Sequence, residues 1–264
     1  MRYDNLKHFK TTCGYDIGDI WYPRVTKIID IKSKPALENF WREMESYSSA
    51  EEVKNKSAQE GSLVHSVVEK TLTGEVVEIP DEIRPAMQSF QKFNEERKIS
   101  VDPAFIERRV VSLRHRYAGT IDALATIDGK FGVLDIKTSN GFYPDYNLQT
   151  VAYVSALQEF EVKRGMALPQ DVQTRWILRV DQKKNCAKCG ATLREKGGRS
   201  KIRNGRANGK VFCAEDRHEW GETKGEVELR EFPYFYKDLK AFMAAKTLWE
   251  WEHDYWLRQA GYLK

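Results

Sequence analysis

The sequence predicts a mixed α+β fold in which helices flank a central sheet. Apolar residues recur at helical spacing over residues 1–100, whereas β-branched and aromatic residues dominate from Phe105 onward. The dipeptide Asp128-Gly129 separates two of these β-rich segments and is typical of a two-residue hairpin turn. The expected order is therefore helices, hairpin, helix, hairpin and helix, with an insertion between two strands.

The N-terminal part is expected to be mainly helical. A first helix begins at Pro35, a favoured first helical residue, and carries an apolar stripe to about residue 47. A second helix covers about residues 58–72 with a buried stripe of its own, and Gly74 ends it. A third helix covers about residues 85–97.

The following segments alternate between strands and helices. Strands are expected over residues 105–111, 117–127 and 130–138, and a helix over 148–160. A strand over 173–180 comes next, and the alternating segment 225–232 is expected to return antiparallel to it. An aromatic-rich amphipathic helix closes the chain over about residues 233–261.

Length and composition indicate one globular domain. The 264 residues are 41% hydrophobic and 31% charged, which allows a large buried core. Because there is no run of about 18 apolar residues and no apolar N-terminal stretch, we expect a cytoplasmic protein with no membrane partner. The expected parts are a helical segment over 1–100, a core sheet and helix over 101–180, an insertion over 181–224, and a closing strand and helix over 225–264.

Two carboxylates are expected to face each other across the predicted hairpin. A two-residue turn at 128–129 places Asp122 directly opposite Asp135, with Cβ atoms roughly 4.5–5.5 Å apart. Lys137 projects on the same face as Asp135. Buried like charges cost stability without a partner, and a hard divalent cation is the natural partner of two carboxylates. The alternative is that Asp122 lies on a solvated face and pairs with Lys137.

The helix before the sheet offers a further candidate ligand. His65 and Glu69 lie four residues apart and share one helical face, and Gly61 permits close approach of this helix to its neighbour. A lone helical histidine is more often a surface or core residue than a ligand. His65 is nevertheless a candidate metal ligand, because two carboxylates follow it in the predicted hairpin.

Four motifs in this order resemble the RecB-like branch of the PD-(D/E)XK nuclease superfamily. They are G-x-x-x-H at 61–65, A-G-T-I-D at 118–122, L-D-I-K-T-S at 134–139 and Q-x-x-x-Y at 149–153. The segment P-R-V-T-K-I-I at 23–29, with Pro35 and Trp41, is similar to the N-terminal segment of viral and bacterial members. The resemblance covers roughly residues 20–180 and implies a restriction-endonuclease-like core sheet flanked by helices.

The resemblance implies a catalytic set. His65, Asp122 and Asp135 would bind Mg²⁺ or Mn²⁺, with the carbonyl of Ile136 as a further ligand. Lys137 would orient or activate the attacking water. Such a site hydrolyses the phosphodiester bond of DNA and leaves a 5′-phosphate.

Further residues match the family pattern less directly. Gln149 and Tyr153 correspond to the motif that supports the site and contacts DNA. Glu69 and Glu107 are within reach of the site, with the alternative that both are surface charges of a helix and a strand. Many superfamily members carry Pro near the first acidic residue, where this chain has Ile121, and the RecB-like branch commonly lacks that Pro.

The cysteines form a second, separate pattern. Cys186-x-x-Cys189 has zinc-knuckle spacing, and Cys213 with His218 completes a tetrahedral structural Zn²⁺ site. Metal binding would supply the folding energy that a small polar element lacks. One alternative is unpaired thiols in a flexible loop. Another is a [4Fe–4S] cluster that includes Cys13, which the long gap before Cys213 and the unused His218 disfavour.

The insertion is also basic. The net charge is only +4, but seven basic residues and a single acidic residue, Glu195, lie between Gly190 and Phe212. We expect a basic loop that contacts the DNA backbone, and the alternative is a charged loop that is merely solvated. The basic residues are Arg194, Lys196, Arg199, Lys201, Arg203, Arg206 and Lys210.

These features together predict a divalent-metal-dependent DNA nuclease. We expect an exonuclease that acts on DNA ends in recombination, repair or viral DNA metabolism, with DNA and recombination or replication proteins as partners. The alternatives are a structure-specific endonuclease and a non-cleaving DNA-binding subunit of a recombination complex. The complete catalytic set argues against the last, and the absence of H-E-x-x-H argues against a zinc hydrolase.

Overall fold

The computed structural model describes residues 3–204, 213–214 and 217–264. Its N-terminal part consists of helices and one small antiparallel hairpin. The elements are α1 (Leu6–Cys13), β1 (Gly14–Ile17), β2 (Ile20–Pro23), α2 (Val25–Ile29), α3 (Pro35–Glu43), α4 (Tyr47–Leu72) and α5 (Arg84–Arg97), with a short 3₁₀ helix at Asp81–Ile83.

The remaining elements build a mixed sheet and its second helical layer. The strands are β3 (Ser100–Ser112), β4 (Tyr117–Ile127), β5 (Lys130–Lys137), β6 (Thr174–Asn185), β7 (Thr192–Lys196), β8 (Arg199–Arg203) and β9 (Lys224–Glu231). The helices are α6 (Pro144–Leu157), α7 (Phe160–Gly165), α8 (Tyr236–Glu252) and α9 (Asp254–Gln259). None of the helices in these described residues is long and apolar enough to cross a membrane.

The main sheet has the strand order β3-β4-β5-β6-β9. Neighbours are antiparallel except β5 and β6, which run parallel and are joined by α6 and α7, the kind of crossover that parallel pairing requires. The β7–β8 hairpin is attached to the far end of β6, where Lys184 and Asn185 pair with β7. This central mixed sheet between helices agrees with the predicted class.

The β4–β5 turn fixes the register of the sheet. Asp128 and Gly129 have φ values of 51° and 77°, as a type I′ turn requires at both central positions. Ile127 consequently pairs with Lys130, which confirms the predicted register. Because strand side chains alternate between faces, this register decides which residues enter the core.

The sheet separates two hydrophobic clusters. In one, Leu124 and Val133 pack with residues of α6 and α8; in the other, Leu134 and Ile136 pack with residues of α4 and α5. The first cluster also holds Phe9 of α1, which stacks against aromatic side chains of α8 and α9. The N-terminal segment, whose elements before residue 30 were not predicted, thus completes the same core as the closing helices.

Several boundaries differ from the predictions. Helix α4 begins at Tyr47 rather than near residue 58, because Ser46 and Ser49 form a capping box before it. Strand β6 continues past residue 180, with residues 181–183 paired to β9, so the insertion is shorter than 181–224. The predicted closing helix is divided at His253.

Candidate active site and metal centre

Asp122 and Asp135 occupy the position where β4 and β5 separate. The strand pairing ends at Ala123 and Leu134, and the two aspartates are the next residues. Asp122 Oδ2 accepts a hydrogen bond of 2.6 Å from the backbone N–H of Ile136. The side chain of Asp122 is 13% exposed and that of Asp135 is 1% exposed, so two carboxylates lie largely buried at one edge of the core.

Lys137 pairs with one of these carboxylates. Its Nζ lies 2.9 Å from Asp135 Oδ1 and 2.8 Å from Asp135 Oδ2. The aromatic ring of Tyr146 on α6 lies 5.1 Å from the same nitrogen. The alternative pairing of Lys137 with a solvated Asp122 is therefore not what the structure shows.

Burial and mutual repulsion set the protonation of this cluster. Burial raises the pKa of Asp122 and Asp135 above the usual range, with Lys137 opposing the effect on both. The Asp122 charge raises the pKa of Asp135 further. Burial alone would lower the pKa of Lys137, but the two aspartates outweigh it and raise that pKa. The charged ammonium form of Lys137 is therefore favoured beside the two aspartates.

His65 on α4 approaches the carboxylates from the next layer. Its Nδ1 lies 3.7 Å from Asp122 Oδ2. A Cβ at Gly61, one turn earlier, would lie 3.1 Å from Thr138 Oγ1, so the glycine permits the close approach that the sequence predicts. Burial, with a contribution from Lys137, lowers the pKa of His65 and favours the neutral imidazole that binds metals.

Both candidate glutamates lie beside His65. Glu69 and Glu107 line an open cleft of about 430 Å³ together with His65, Gly61 and Thr138. Burial, Glu107 and Asp122 raise the pKa of Glu69. Glu107 is exposed, but it faces the cleft rather than a remote surface.

The Q-x-x-x-Y pair supports the site from α6. Gln149 Nε2 donates a 3.3 Å hydrogen bond to the hydroxyl of Tyr153. The Tyr153 ring packs directly on the backbone of Gly119 in β4, where an added Cβ would come within 2.4 Å of the ring. Tyr153 is 3% exposed, which fits a supporting role. The DNA contact stays a prediction for Gln149, which is partly exposed.

The four predicted zinc ligands come together. Cys186, Cys189, Cys213 and His218 each offer a ligand atom, and these atoms all lie within 4.8 Å of one another. Among the residues that the structure describes, this is the only group of three or more Cys, His, Asp or Glu side chains that meets this spacing. The cluster can bind a metal ion such as Zn²⁺, whereas Mg²⁺ or Mn²⁺ at the carboxylates stays a prediction.

Local hydrogen bonds and ring stacking shape this Cys₃His centre. Gly190 has φ 73°, a left-handed conformation that favours glycine, and its N–H donates to the carbonyl of Cys186 at 2.9 Å. His218 Nδ1 lies 3.5 Å from Cys189 Sγ, and its ring stacks on Trp220. The knuckle turn and the stacked ring therefore help to bring the four ligand atoms together.

The thiol pKa values at the Cys₃His centre differ in direction. Burial favours the neutral thiol of Cys186, but hydrogen bonds from the N–H of Cys189 and from His218 outweigh it and lower the pKa to about 6. Burial and the neighbouring Cys189 and Cys186 raise the pKa of Cys213 to about 11. A divalent cation relieves the repulsion that opposes the third thiolate.

Cys13 lies elsewhere in the fold. It is buried at the end of α1 in the large core cluster, and its thiol donates to the hydroxyl of Tyr3 at 3.0 Å. The fourth side chain at the metal centre is His218, not Cys13. The arrangement needed for the [4Fe–4S] alternative is therefore absent from the described residues.

Over residues 192–203, which the structure describes, the basic segment forms a hairpin rather than a loop. Arg194 forms an ion pair with Asp181. Arg199 and Lys201 both pair with Glu43 of α3. The remaining members take different places: Lys196 bonds to Thr138, Arg203 is exposed on β8, and Arg206 and Lys210 lie outside the described residues.

Sequence reasoning missed three contributors to the site. Thr138 follows Lys137 and contacts Gly61, Tyr146 covers Lys137, and Lys196 points inward instead of toward solvent. Tyr146 lies three residues before Gln149, so their shared helical face was a usable signal. Burial, with a smaller effect of Arg194, lowers the pKa of Lys196 to about 8.

No protein-family model matches this sequence, and no curated protein is significantly similar to it. The likeness to the RecB-like branch is carried by the four motifs and the N-terminal segment at 23–29.

Proposed function

We propose that the protein is a divalent-metal-dependent nuclease of the RecB-like PD-(D/E)XK branch that hydrolyses DNA from its ends. The observation that carries the proposal is the meeting of Asp122, Asp135 and Lys137 where β4 and β5 separate. The parallel partner β6 and the crossover helix α6, which bears the Q-x-x-x-Y pair, support it.

The donor set fits a hard divalent cation. His65, Asp122, Asp135 and the carbonyl of Ile136 would hold Mg²⁺ or Mn²⁺, because carboxylate and carbonyl oxygens suit these ions. The pKa values of the two buried carboxylates stay raised, so the single positive charge of Lys137 does not fully compensate their negative charges. When bound, the cation polarises the scissile phosphate and lowers the pKa of a water.

The chain supplies the remaining positioning. The ammonium group of Lys137 is held by Asp135 and would orient the attacking water and donate to the developing negative oxygen. The N–H of Ile136 fixes the direction of the Asp122 carboxylate. Tyr153, packed on Gly119, keeps α6 against β4 behind the site.

We also propose Zn²⁺ as the structural ion of the Cys₃His centre. Three thiols and one imidazole form a closed tetrahedral set with no position left for a substrate. Elemental analysis of purified protein is expected to give one zinc per chain. A brown protein with absorbance near 400 nm and bound iron would contradict the assignment.

DNA-backbone contacts are proposed for strand β8 of the inserted hairpin. Arg203 is exposed there, and Arg199 and Lys201 lie beside it with Glu43 as their partner. Arg206 and Lys210 keep their predicted role. Arg194 and Lys196 bond within the fold, and we do not assign them to DNA.

Cleavage of labelled DNA tests the nuclease proposal. End-labelled linear and covalently closed circular DNA, single- and double-stranded, would be incubated with Mg²⁺, Mn²⁺ or EDTA. Wild-type protein is expected to degrade linear DNA only with metal, and Lys137→Ala is expected to be inactive. Lys130→Ala is the matched control, because Lys130 lies at the other end of β5 and pairs with Glu231.

The other outcomes are equally informative. Nicking of the circle would replace the exonuclease proposal with the endonuclease. DNA binding without cleavage under any metal condition would contradict the nuclease and favour the DNA-binding subunit.

A further inference from the structure

Two cations from the insertion meet on one backbone carbonyl beside the proposed active site. Arg194 Nη2 donates to the Thr138 carbonyl at 2.7 Å, and Lys196 Nζ donates to the same oxygen at 2.6 Å. Lys196 Nζ also lies 2.6 Å from Thr138 Oγ1. Thr138 is the first residue after β5, so the sheet no longer fixes the chain where these bonds hold it.

Thr138 sits between the two elements that carry the proposed ligands. It directly follows Lys137, and its Oγ1 lies close enough to Gly61 on α4, the helix that carries His65, that an added Cβ there would be 3.1 Å away. The position of Thr138 therefore sets the spacing between α4 and the end of β5. Any shift of Thr138 changes how His65 faces the carboxylates of Asp122 and Asp135.

The β7–β8 hairpin, which carries both cations, packs directly against α4. The N–H of Gly197 donates to Glu60 Oε1 at 2.9 Å. Gly197 has φ 62°, and an added Cβ would lie 2.2 Å from Ser57 Oγ, so the turn lies directly on the helix. Arg194 is held in turn by Asp181 of β6 through two contacts of 2.7 and 3.0 Å.

The base of the hairpin adjoins the Cys₃His centre. Asn185 pairs with Thr192 at the start of β7, and the N–H of Cys186 donates to the carbonyl of Ala191 at 2.8 Å. A metal ion at this centre would join Cys186 and Cys189, which precede the hairpin, to Cys213 and His218, which follow it.

We infer that Lys196 is a positioning residue for the proposed active site, and that the metal-bound insertion holds the end of β5 against α4 through it. This inference rests on the proposed function for its kinetic consequence. The geometric part, that Lys196 restrains Thr138, stands on the contacts alone.

The test compares Lys196→Met with Lys184→Ala. Lys196→Met keeps an apolar side chain of similar length and removes the ammonium group. Lys184→Ala removes only an exposed ion pair with Glu195 at the base of the hairpin. Hydrogen exchange at the amides of residues 137–141 is expected to speed up about tenfold in Lys196→Met, the factor for losing a charged hydrogen bond. Lys184→Ala is expected to exchange like wild type.

Kinetics supply the second readout. A misplaced site is expected to lower kcat by about 10²-fold in Lys196→Met with KM for DNA nearly unchanged. Lys196→Arg, which restores a cation, is expected to recover part of kcat. A purely structural defect would instead lower the thermal midpoint and the activity of Lys196→Met and Lys196→Arg alike.

The outcomes separate the two proposals. Wild-type exchange at residues 137–141 in Lys196→Met, or equal acceleration in Lys184→Ala, would overturn the positioning role. If wild-type protein cleaves no DNA but the exchange difference is present, the restraint on Thr138 stands and the nuclease proposal fails.

Discussion

The carboxylate edge and the Cys₃His centre are two clusters of potential metal ligands built in opposite ways. At the carboxylate edge, His65, Asp122 and Asp135 come from three elements that a large core holds in place. At the Cys₃His centre, the ligands lie within one short insertion around a small cluster of buried residues. The first is held by the core and keeps two neighbouring buried carboxylates, whereas the second would depend on its proposed ion for much of its structure.

The largest expected effect comes from a substitution that disrupts the Cys₃His centre. Cys189→Ser is expected to remove nearly all bound zinc and unfold the insertion, since structural Zn²⁺ contributes about 10–16 kcal/mol of binding free energy in small fingers. Zinc content by mass spectrometry and hydrogen exchange over residues 184–204 measure both results. Cys13→Ser is the matched control, a buried thiol outside the centre. Full zinc retention in Cys189→Ser would contradict the assigned ligand set.

The next largest effect is expected from a substitution that disrupts the carboxylate edge without unfolding the protein. Asp135→Asn is expected to lower the cleavage rate by at least about 10³-fold, roughly 4 kcal/mol, because it removes a ligand charge. The free energy of unfolding is expected to change by less than about 1 kcal/mol, because repulsion from Asp122 is lost while Asp122 still faces Lys137. Asp128→Asn, in the exposed turn of the same hairpin, serves as the control. Near-wild-type cleavage by Asp135→Asn would disprove the site.

A packing change behind the carboxylate edge is expected to have a smaller effect. Gly119→Ala forces the Tyr153 ring away from β4 and should cost about 1–3 kcal/mol of unfolding free energy. Gly141→Ala offers a matched control, because an added Cβ there meets no atom within 4 Å. Chemical denaturation of both variants measures the difference. Equal stability of the two would mean that Tyr153 does not need the glycine.

The smallest expected effect is a change of folding stability with pH. Because the folded state raises the pKa of Asp122 and Asp135, it binds more protons than the unfolded state between the ordinary and the raised values. The stability contributed by these groups is therefore present at low pH and lost as pH rises through the raised values. Thermal midpoints in EDTA across this window should show a fall that Asp135→Asn reduces. Identical pH profiles for both proteins would contradict the raised pKa of Asp135.

The sequence predicts parts of both clusters because some of their residues are related by local patterns along the chain. The spacing of Cys186 and Cys189 and the glycine after them already define a knuckle. The register that aligns Asp122 with Asp135 follows from the turn at 128–129 and the two-residue period of a strand. Both are local patterns, and local patterns survive folding.

Contacts between distant segments could not be predicted in this way. The charge of Lys196 indicated a phosphate partner, whereas its actual partner Thr138 is chosen by the seating of Gly197 on α4. Likewise, α1 has only eight residues, and its Phe9 is buried against aromatic side chains of α8 and α9 that lie far along the chain. Residue type gives the available interaction, and the fold selects the partner.

The bond between Gly197 and Glu60 also implies an order of assembly. These residues are 137 positions apart, whereas the β4–β5 hairpin closes over a two-residue turn. Local contacts form early, and contacts that close long loops form late. The two carboxylates therefore come together first as a repelling pair, and the hold on Thr138 follows only after the insertion has been made and has docked. We therefore expect a folding stage in which the site has its charges but not its final geometry.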